Sequence, residues 1–234
     1  MASASYSYKL NSHPDKLLID HLRTVSDLCS KTVNETVLNL DGDIDKQIFE
    51  DISYIIGATH DLGKGTTFFQ EYLVEKDEAK KRSLRAMEIT HHGLLSAFFT
   101  YAIIRKYLEK KGIKDKYSSI LPIVSFIIVK RHHSNLLNAL DEINKIDIEG
   151  ERIFKTASDQ LNSLDLSEIQ AILNELLSEK IGIEIDIYDV KREILGEVAL
   201  NRTLSDTTLC LEKRKPFDVL VKRPSILPPW GTRI

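Results

Sequence analysis

Apolar side chains recur along most of the chain at the three- and four-residue spacing of amphipathic helices. The first such stripe has His21 near its edge and follows Ser12-His-Pro-Asp15, which resembles a helix capping box. A second helix is predicted from about Asp45 to Asp61, and Gly63 is well placed to end it. Further helical patterns cover residues 66–74, 91–110, 117–133, 151–161, 167–180 and 184–204. The pattern predicts an all-α protein.

The last third of the chain differs from the rest in its chemistry. Its helical patterns have strong polar faces and no histidines of the kind that bind metals, and frequent prolines from Pro216 onward predict an irregular tail. No internal repeat or low-complexity linker divides the sequence. The simplest account is one domain over residues 1–234, with a core of about 12–140 and a C-terminal helical part of about 141–215. A separate helical subdomain from about residue 140 is the alternative.

Composition narrows the class of protein. The net charge is −3, so the chain as a whole is not built to bind polyanions, although local basic clusters could contact phosphates. No apolar run reaches the roughly 18 residues of a membrane span, and the N-terminus lacks the pattern of a secretory signal. The distant Cys29 and Cys210 predict neither a disulfide framework nor a thiolate metal site. We expect a cytoplasmic protein without a membrane partner.

The sequence Gly57-Ala-Thr-His60-Asp61-Leu-Gly63-Lys64 carries the candidate chemistry. It places an imidazole beside a carboxylate where a buried helix ends, and a buried carboxylate is costly unless it is paired. A divalent cation would remove that cost, and one aspartate can bridge two cations. A metal-dependent hydrolase is therefore the leading hypothesis, and a polar helix end without a metal is the alternative. The segment from Gly57 to Lys64 is not a phosphate-binding loop, because it has one residue too many between its glycines.

Lys64 has two interpretations. Its ammonium could face a substrate phosphate or protonate a leaving oxygen, which would make it catalytic. It could equally complement the dipole at the C-terminal end of the preceding helix.

Two pairs of adjacent histidines lie further along the chain. His91-His92 opens one predicted helix and His132-His133 closes the next. Neighbouring residues on a helix point about 100° apart, so both members of a pair can bind one metal only where the backbone departs from a helix. His21 alone would more often be a partly buried core residue, and His13 is assigned no role.

In chain order these residues resemble the HD phosphohydrolase superfamily, and most closely the CRISPR-associated HD nuclease of type I interference systems. The resemblance covers about residues 15–135. It rests on His21, His60-Asp61-Leu-Gly-Lys64, Phe68-Phe69-Gln70, His92-x-x-x-Ser96-Ala97, His132-His133 and a late aspartate. It implies an all-α, HD-domain-like helical bundle with additional C-terminal helices.

The resemblance also implies one or two divalent metal ions, with Mg or Mn expected and Ni, Co or Fe as alternatives. It assigns catalytic roles to Asp61 and Lys64. The first metal would be held by His21, His60, Asp61 and a late aspartate, for which Asp206 is the choice and Asp189 a poorer alternative. The second would be held by Asp61, His92, His132 and His133.

The function implied is cleavage of phosphodiester bonds, chiefly in single-stranded DNA, during CRISPR antiviral interference. RNA and duplex DNA remain open as substrates. Family members often continue into a helicase, and no helicase motif occurs here, so we expect a separate helicase subunit and an RNA-guided complex as partners. A hydrolase of small nucleotides and an inactive HD scaffold are the competing hypotheses.

Overall fold

The computed structural model describes residues 6–38, 45–114, 116–136, 138, 152–198, 201–205 and 208–212. Within these ranges the chain is an all-α bundle with two short antiparallel hairpins, which confirms the predicted fold class. The helices are α1 (Leu18–Glu35), α2 (Lys46–Thr59), α3 (Thr67–Val74), α4 (Glu78–Ala86), α5 (Gly93–Lys110), α6 (Lys116–Lys130), α7 (152–162), α8 (Leu166–Leu173), α9 (Glu179–Ile181) and α10 (Ile187–Val198). The strands are β1 (Asn11–His13), β2 (Lys16–Leu17), β3 (Asn201–Ser205) and β4 (Thr208–Glu212). Short 3-10 turns cover Leu62–Gly65 and Glu88–Thr90, and a π-helical turn at Asn174–Ser178 joins α8 to α9.

The predicted capping box at Ser12 is wrong. Strands β1 and β2 form a hairpin instead, and the Ser12 hydroxyl donates to the Lys16 carbonyl at 3.2 Å. Helix α1 begins at Leu18 without a side-chain cap. The reason is turn chemistry, because proline followed by aspartate favours a tight turn between two extended segments. The hairpin brings residues 11–16 beside the end of α2.

Helices α1 and α2 approach each other closely at Gly57. A Cβ atom there would lie 2.5 Å from Ser26 Cα, so only glycine is tolerated at this crossing. Ser26 is fully buried, and its hydroxyl donates to the Leu22 carbonyl of its own helix. Small residues at the contact let the two backbones pack tightly, which places His21 of α1 next to the C-terminal end of α2.

Helix α5 is the centre of the bundle. Most of its side chains are buried, as expected for a helix that is apolar on nearly all faces. It packs along α6, where the rings of Phe98 and Phe126 lie 5.3 Å apart. Its Thr100 hydroxyl lies 2.7 Å from that of Thr59 on α2. None of the helices described here is long and apolar enough to cross a membrane.

The C-terminal helices share one hydrophobic core with the N-terminal ones. Glu168 of α8 is buried and accepts hydrogen bonds from the backbone amides of Lys9 and Leu10 at 2.8 and 2.7 Å. The Thr67 amide donates to the Ser163 carbonyl at 3.1 Å. The end of α7 and the start of α8 therefore pack directly on the segments around the His60-Asp61 sequence.

The helix predicted over residues 184–204 is too long. Helix α10 ends at Val198, and residues 201–205 form strand β3, which pairs with β4 in regular register. The alternating Thr-Leu-Cys-Leu pattern of β4 supplies a partner strand, and this pairing overrides the weaker helical pattern. Helix α4 was not predicted at all. The predicted tail from Pro216 lies outside the described residues.

Candidate metal centre

The His60-Asp61 pair lies where α2 gives way to the 3-10 turn. His60 still has helical backbone angles and its amide donates to the Ile56 carbonyl, whereas Asp61 leaves the helix at φ −118° and ψ 12°. This departure frees the two side chains from the helical 100° separation. His60 Nδ1 lies 2.8 Å from the Gly57 carbonyl oxygen, so Nδ1 carries the proton and Nε2 is free to bind a cation.

One oxygen of Asp61 faces two imidazoles. Asp61 Oδ2 lies 2.9 Å from His21 Nε2 and 3.3 Å from His60 Nε2, and the two nitrogens are 3.2 Å apart. Ligands of a tetrahedral ion with bonds of about 2.1 Å lie roughly 3.4 Å apart, which is close to these spacings. These three residues form the first cluster that could hold a metal ion.

The other oxygen of Asp61 faces the second cluster. Asp61 Oδ1 lies 2.9 Å from His92 Nε2 and 3.2 Å from His132 Nε2, and His92 Nε2 lies 3.0 Å from His133 Nε2. His132 Nδ1 is 2.6 Å from the Val129 carbonyl oxygen, which again leaves Nε2 free. Both His132 and His133 lie in the turn after α6, so adjacent side chains reach the same cluster.

Asp61 thus belongs to both clusters, with a different oxygen turned to each. The candidate ligands are five imidazoles and one carboxylate, a donor set that suits divalent ions of borderline hardness. Asp61 is 1% exposed, so a cation here would pair a carboxylate that has little contact with water. This buried histidine and aspartate group could hold a metal ion.

The protonation states also suit metal binding. Burial alone would raise the pKa of Asp61, but its close contacts with the imidazoles of His132, His21, His60 and His92 together hold that pKa far below its ordinary range. Burial lowers the pKa of His92, against the opposing effect of Asp61. Burial, His132 and His92 lower the pKa of His133 to about 4. The low pKa of Asp61 favours its carboxylate, and the lowered pKa values of His92 and His133 favour their neutral imidazoles, the forms that bind metals.

Lys64 faces the same carboxylate. Its Nζ lies 2.8 Å from Asp61 Oδ2, donates to the Ser12 carbonyl at 3.3 Å and lies 5.5 Å from the centroid of the Phe69 ring. The side chain is buried, and Gln70 holds its backbone by donating to the Lys64 carbonyl at 2.7 Å. These contacts tie Lys64 to Asp61 rather than to a helix C-terminus.

Gly63 and Ser96 join the turn after the His60-Asp61 pair to α5. The Gly63 amide donates to Ser96 Oγ at 2.9 Å. A Cβ atom on Gly63 would lie less than 3.0 Å from the His92 carbonyl oxygen, so any larger residue would push these backbones apart. The glycine therefore permits the close approach of the two metal-binding segments.

Not every candidate reaches the centre. His91 faces away, with Nε2 3.1 Å from the Arg85 carbonyl oxygen. Asp206 lies outside the described residues. The poorer alternative, Asp189, is in neither cluster and pairs with Arg192 on α10. His13, which had no predicted role, has its ring 5.4 Å from that of His21; no sequence signal reveals this, because the hairpin brings it there.

Comparison with protein-family models, with curated proteins and with solved structures finds no match to this chain.

Proposed function

We propose that this protein is a divalent-metal-dependent phosphodiesterase of the HD type that cleaves nucleic acid, chiefly single-stranded DNA. The observation that carries the proposal is the position of Asp61, whose two oxygens face two separate groups of imidazole nitrogens. Two bound divalent cations would supply Lewis acidity toward a phosphate and activation of water at neutral pH. A carboxylate shared by two ligand groups is suited to hold such a pair.

The chain's own residues would have distinct roles in this reaction. His21 and His60 would hold one ion with Asp61 Oδ2, and the second would be held by Oδ1 with His92, His132 and His133. Lys64 would keep Asp61 ionised and oriented through its 2.8 Å contact. Because the hydrogen bonds of His60 and His132 fix their Nδ1 protons, those imidazoles would be oriented before any ion arrives.

The ligand set bears on the choice of metal. Magnesium prefers oxygen ligands, five imidazoles suit iron, cobalt or nickel better, and manganese lies between these preferences. We propose Mn²⁺ or one of these later ions as the working metal.

The substrate and partners rest on the sequence resemblance. His60-Asp61-Leu-Gly-Lys64 followed by Phe68-Phe69-Gln70 resembles the motif of the CRISPR-associated HD nucleases. We therefore propose single-stranded DNA as substrate, a separate helicase subunit that supplies it, and an RNA-guided complex that selects it.

A strand- and metal-resolved nuclease assay tests the proposal. Metal-stripped protein is incubated with Mn²⁺ or Mg²⁺ and with single-stranded DNA, duplex DNA, RNA or a panel of mononucleotides. We expect single-stranded DNA to be degraded with Mn²⁺, the double variant His60→Ala/Asp61→Ala to be inactive, and His91→Ala to retain activity. The last is a matched control because His91 points away from the centre.

Three results would count against the proposal. Equal cleavage by the double variant would mean that a contaminant is responsible. Turnover of mononucleotides alone would indicate a small-nucleotide hydrolase. A protein that neither binds nor is stabilised by Mn²⁺ would indicate an HD-like scaffold.

A further inference from the structure

We infer that Gln160, on α7, is a positioning residue for His92, through which the C-terminal helices hold one half of the metal centre in place. The inference rests on the proposed metal-dependent function, since it concerns the geometry of one candidate ligand. It assigns to the C-terminal helices a part in metal binding, although they contain none of the ligands identified among the described residues.

The side-chain amide of Gln160 binds the backbone of the segment before His92. The residue is 1% exposed, and its Nε2 donates to the carbonyl oxygens of both Ile89 and His91, each at 2.8 Å. The Ile89 carbonyl lies in the 3-10 turn before α5, and the His91 carbonyl belongs to the peptide bond that leads into His92. The amide therefore donates both of its hydrogens to backbone carbonyls of this one segment.

The amide oxygen of Gln160 indicates which hydrogen bonds determine the position of the side chain. Gln160 Oε1 is buried and has no hydrogen-bond partner among the residues that the structure describes. Burying an acceptor without a partner is unfavourable, and an apolar side chain at this position would avoid that cost. The orientation of the amide is not ambiguous, because a flip would point the oxygen at two carbonyls. The side chain is therefore placed for its two donated bonds.

The segment that Gln160 holds is also restrained locally, since the Thr90 and His91 amides donate to the Met87 and Glu88 carbonyls at 3.1 and 2.9 Å. His92 is the N-terminal cap of α5 but makes no side-chain capping bond. On its opposite side the His92 carbonyl is packed against Gly63, whose amide donates to Ser96. Residues 89–92 are thus held between the turn after Asp61 and α7. Removing the bonds from α7 would leave the position of His92 to the local turn and to its packing against Gly63.

A purely structural role for Gln160 makes a different prediction. In that case a variant would unfold more readily but would bind metal as well as the wild type once folded. A positioning role requires loss of metal affinity in the folded protein, confined to the cluster that contains His92. Disturbing groups that orient metal ligands typically reduces affinity by 10- to 100-fold.

The test uses the full chain and Mn²⁺ alone, titrated into metal-free protein by calorimetry. Gln160→Met keeps the volume but removes both donors, and we expect about a tenfold weaker binding event, the same event that His92→Ala removes. Gln160→Glu, which replaces the donor by an acceptor, is the second variant if the first does not fold. Binding that depends on His21 should be nearly unchanged.

Gln170→Met is the matched control. Gln170 is also a glutamine of the C-terminal helices, and its amide donates to the Ile185 carbonyl at 2.7 Å and accepts from the Ile187 amide at 2.8 Å, away from the centre. We expect reduced thermal stability and unaltered Mn²⁺ affinity. Wild-type affinity in folded Gln160→Met protein would overturn the inference. Weakened affinity in a protein without nuclease activity would support it and count against the proposed function.

Discussion

Lys64 Nζ lies 2.8 Å from Asp61 Oδ2, and both residues are almost completely buried, at 4% and 1% exposure. The carboxylate therefore has the Lys64 side chain as a close partner in addition to the imidazoles around it. Removing one member of a buried ion pair leaves the other charge without compensation, which is far more costly than losing a pair at the surface.

We expect Lys64→Met to destabilise the metal-free protein by about 2–4 kcal/mol, because Asp61 would keep only its imidazole partners. Added Mn²⁺ should restore part of that loss by supplying positive charge to the same carboxylate. Urea unfolding with chelator and with Mn²⁺ measures both effects. Lys31→Met is the control, since Lys31 pairs with Glu35 at 3.7 Å on the surface and should change stability by less than about 1 kcal/mol. Equal effects of the two substitutions would contradict the prediction.

Gly63→Ala should separate the two segments that form the centre. The new Cβ would lie less than 3.0 Å from the His92 carbonyl oxygen, a backbone atom that cannot move without shifting the start of α5. We expect a loss of about 1–3 kcal/mol in unfolding free energy and weaker Mn²⁺ binding. Gly196→Ala on α10 meets nothing within 4 Å and should be neutral or stabilising. Unchanged metal affinity in the Gly63 variant would show that the close approach is not needed.

The pH dependence of stability should contain a contribution from Tyr107. Its hydroxyl donates to Asp51 Oδ2 at 2.6 Å, and burial together with Asp51 raises the pKa of the phenol above its ordinary value of 10. Above pH 10 the unfolded chain therefore loses this proton while the folded chain keeps it. The resulting stabilisation is complete below pH 10 and is lost as the pH rises further.

Tyr107→Phe should remove that contribution. We expect it to cost about 1–2 kcal/mol near neutral pH, through the lost hydrogen bond to a carboxylate, and to flatten the decline of stability above pH 10. Urea unfolding of both proteins between pH 7 and about 11 gives the difference. Parallel curves would mean that the phenol has the same pKa in the folded and unfolded chain.

The helical core follows from apolar spacing, because α1, α2, α5 and α6 each bury a face that recurs with the helical period. The hairpin at Asn11–Leu17 cannot be predicted from apolar spacing. It depends on pairing between two short segments whose sequence also fits a helix start. The same limit applies to β3, where a partner strand decides the conformation of residues 201–205.

Convergence of the candidate ligands is predictable only through the resemblance. The periodic pattern places His132 and His133 on a helix, where they would diverge; the backbone leaves the helix after Lys130 and lets both reach one cluster. Gln160 gives no signal in the sequence, because a glutamine on an amphipathic helix resembles any surface residue. Its burial and its bonds to the segment before His92 arise only when α7 packs on the bundle.

Because Asp61 belongs to both clusters, a centre that held two divalent ions would carry a large excess of positive charge. Among the ligand candidates described, Asp61 is the only anion, since the other five are imidazoles that are neutral when they coordinate. Two dications would bring four positive charges against a single negative one, with the Lys64 ammonium adding to the excess. Such a centre is deficient in anions and is completed by a ligand that supplies them. Phosphodiester oxygens would therefore strengthen the binding of the ions as well as be held by them.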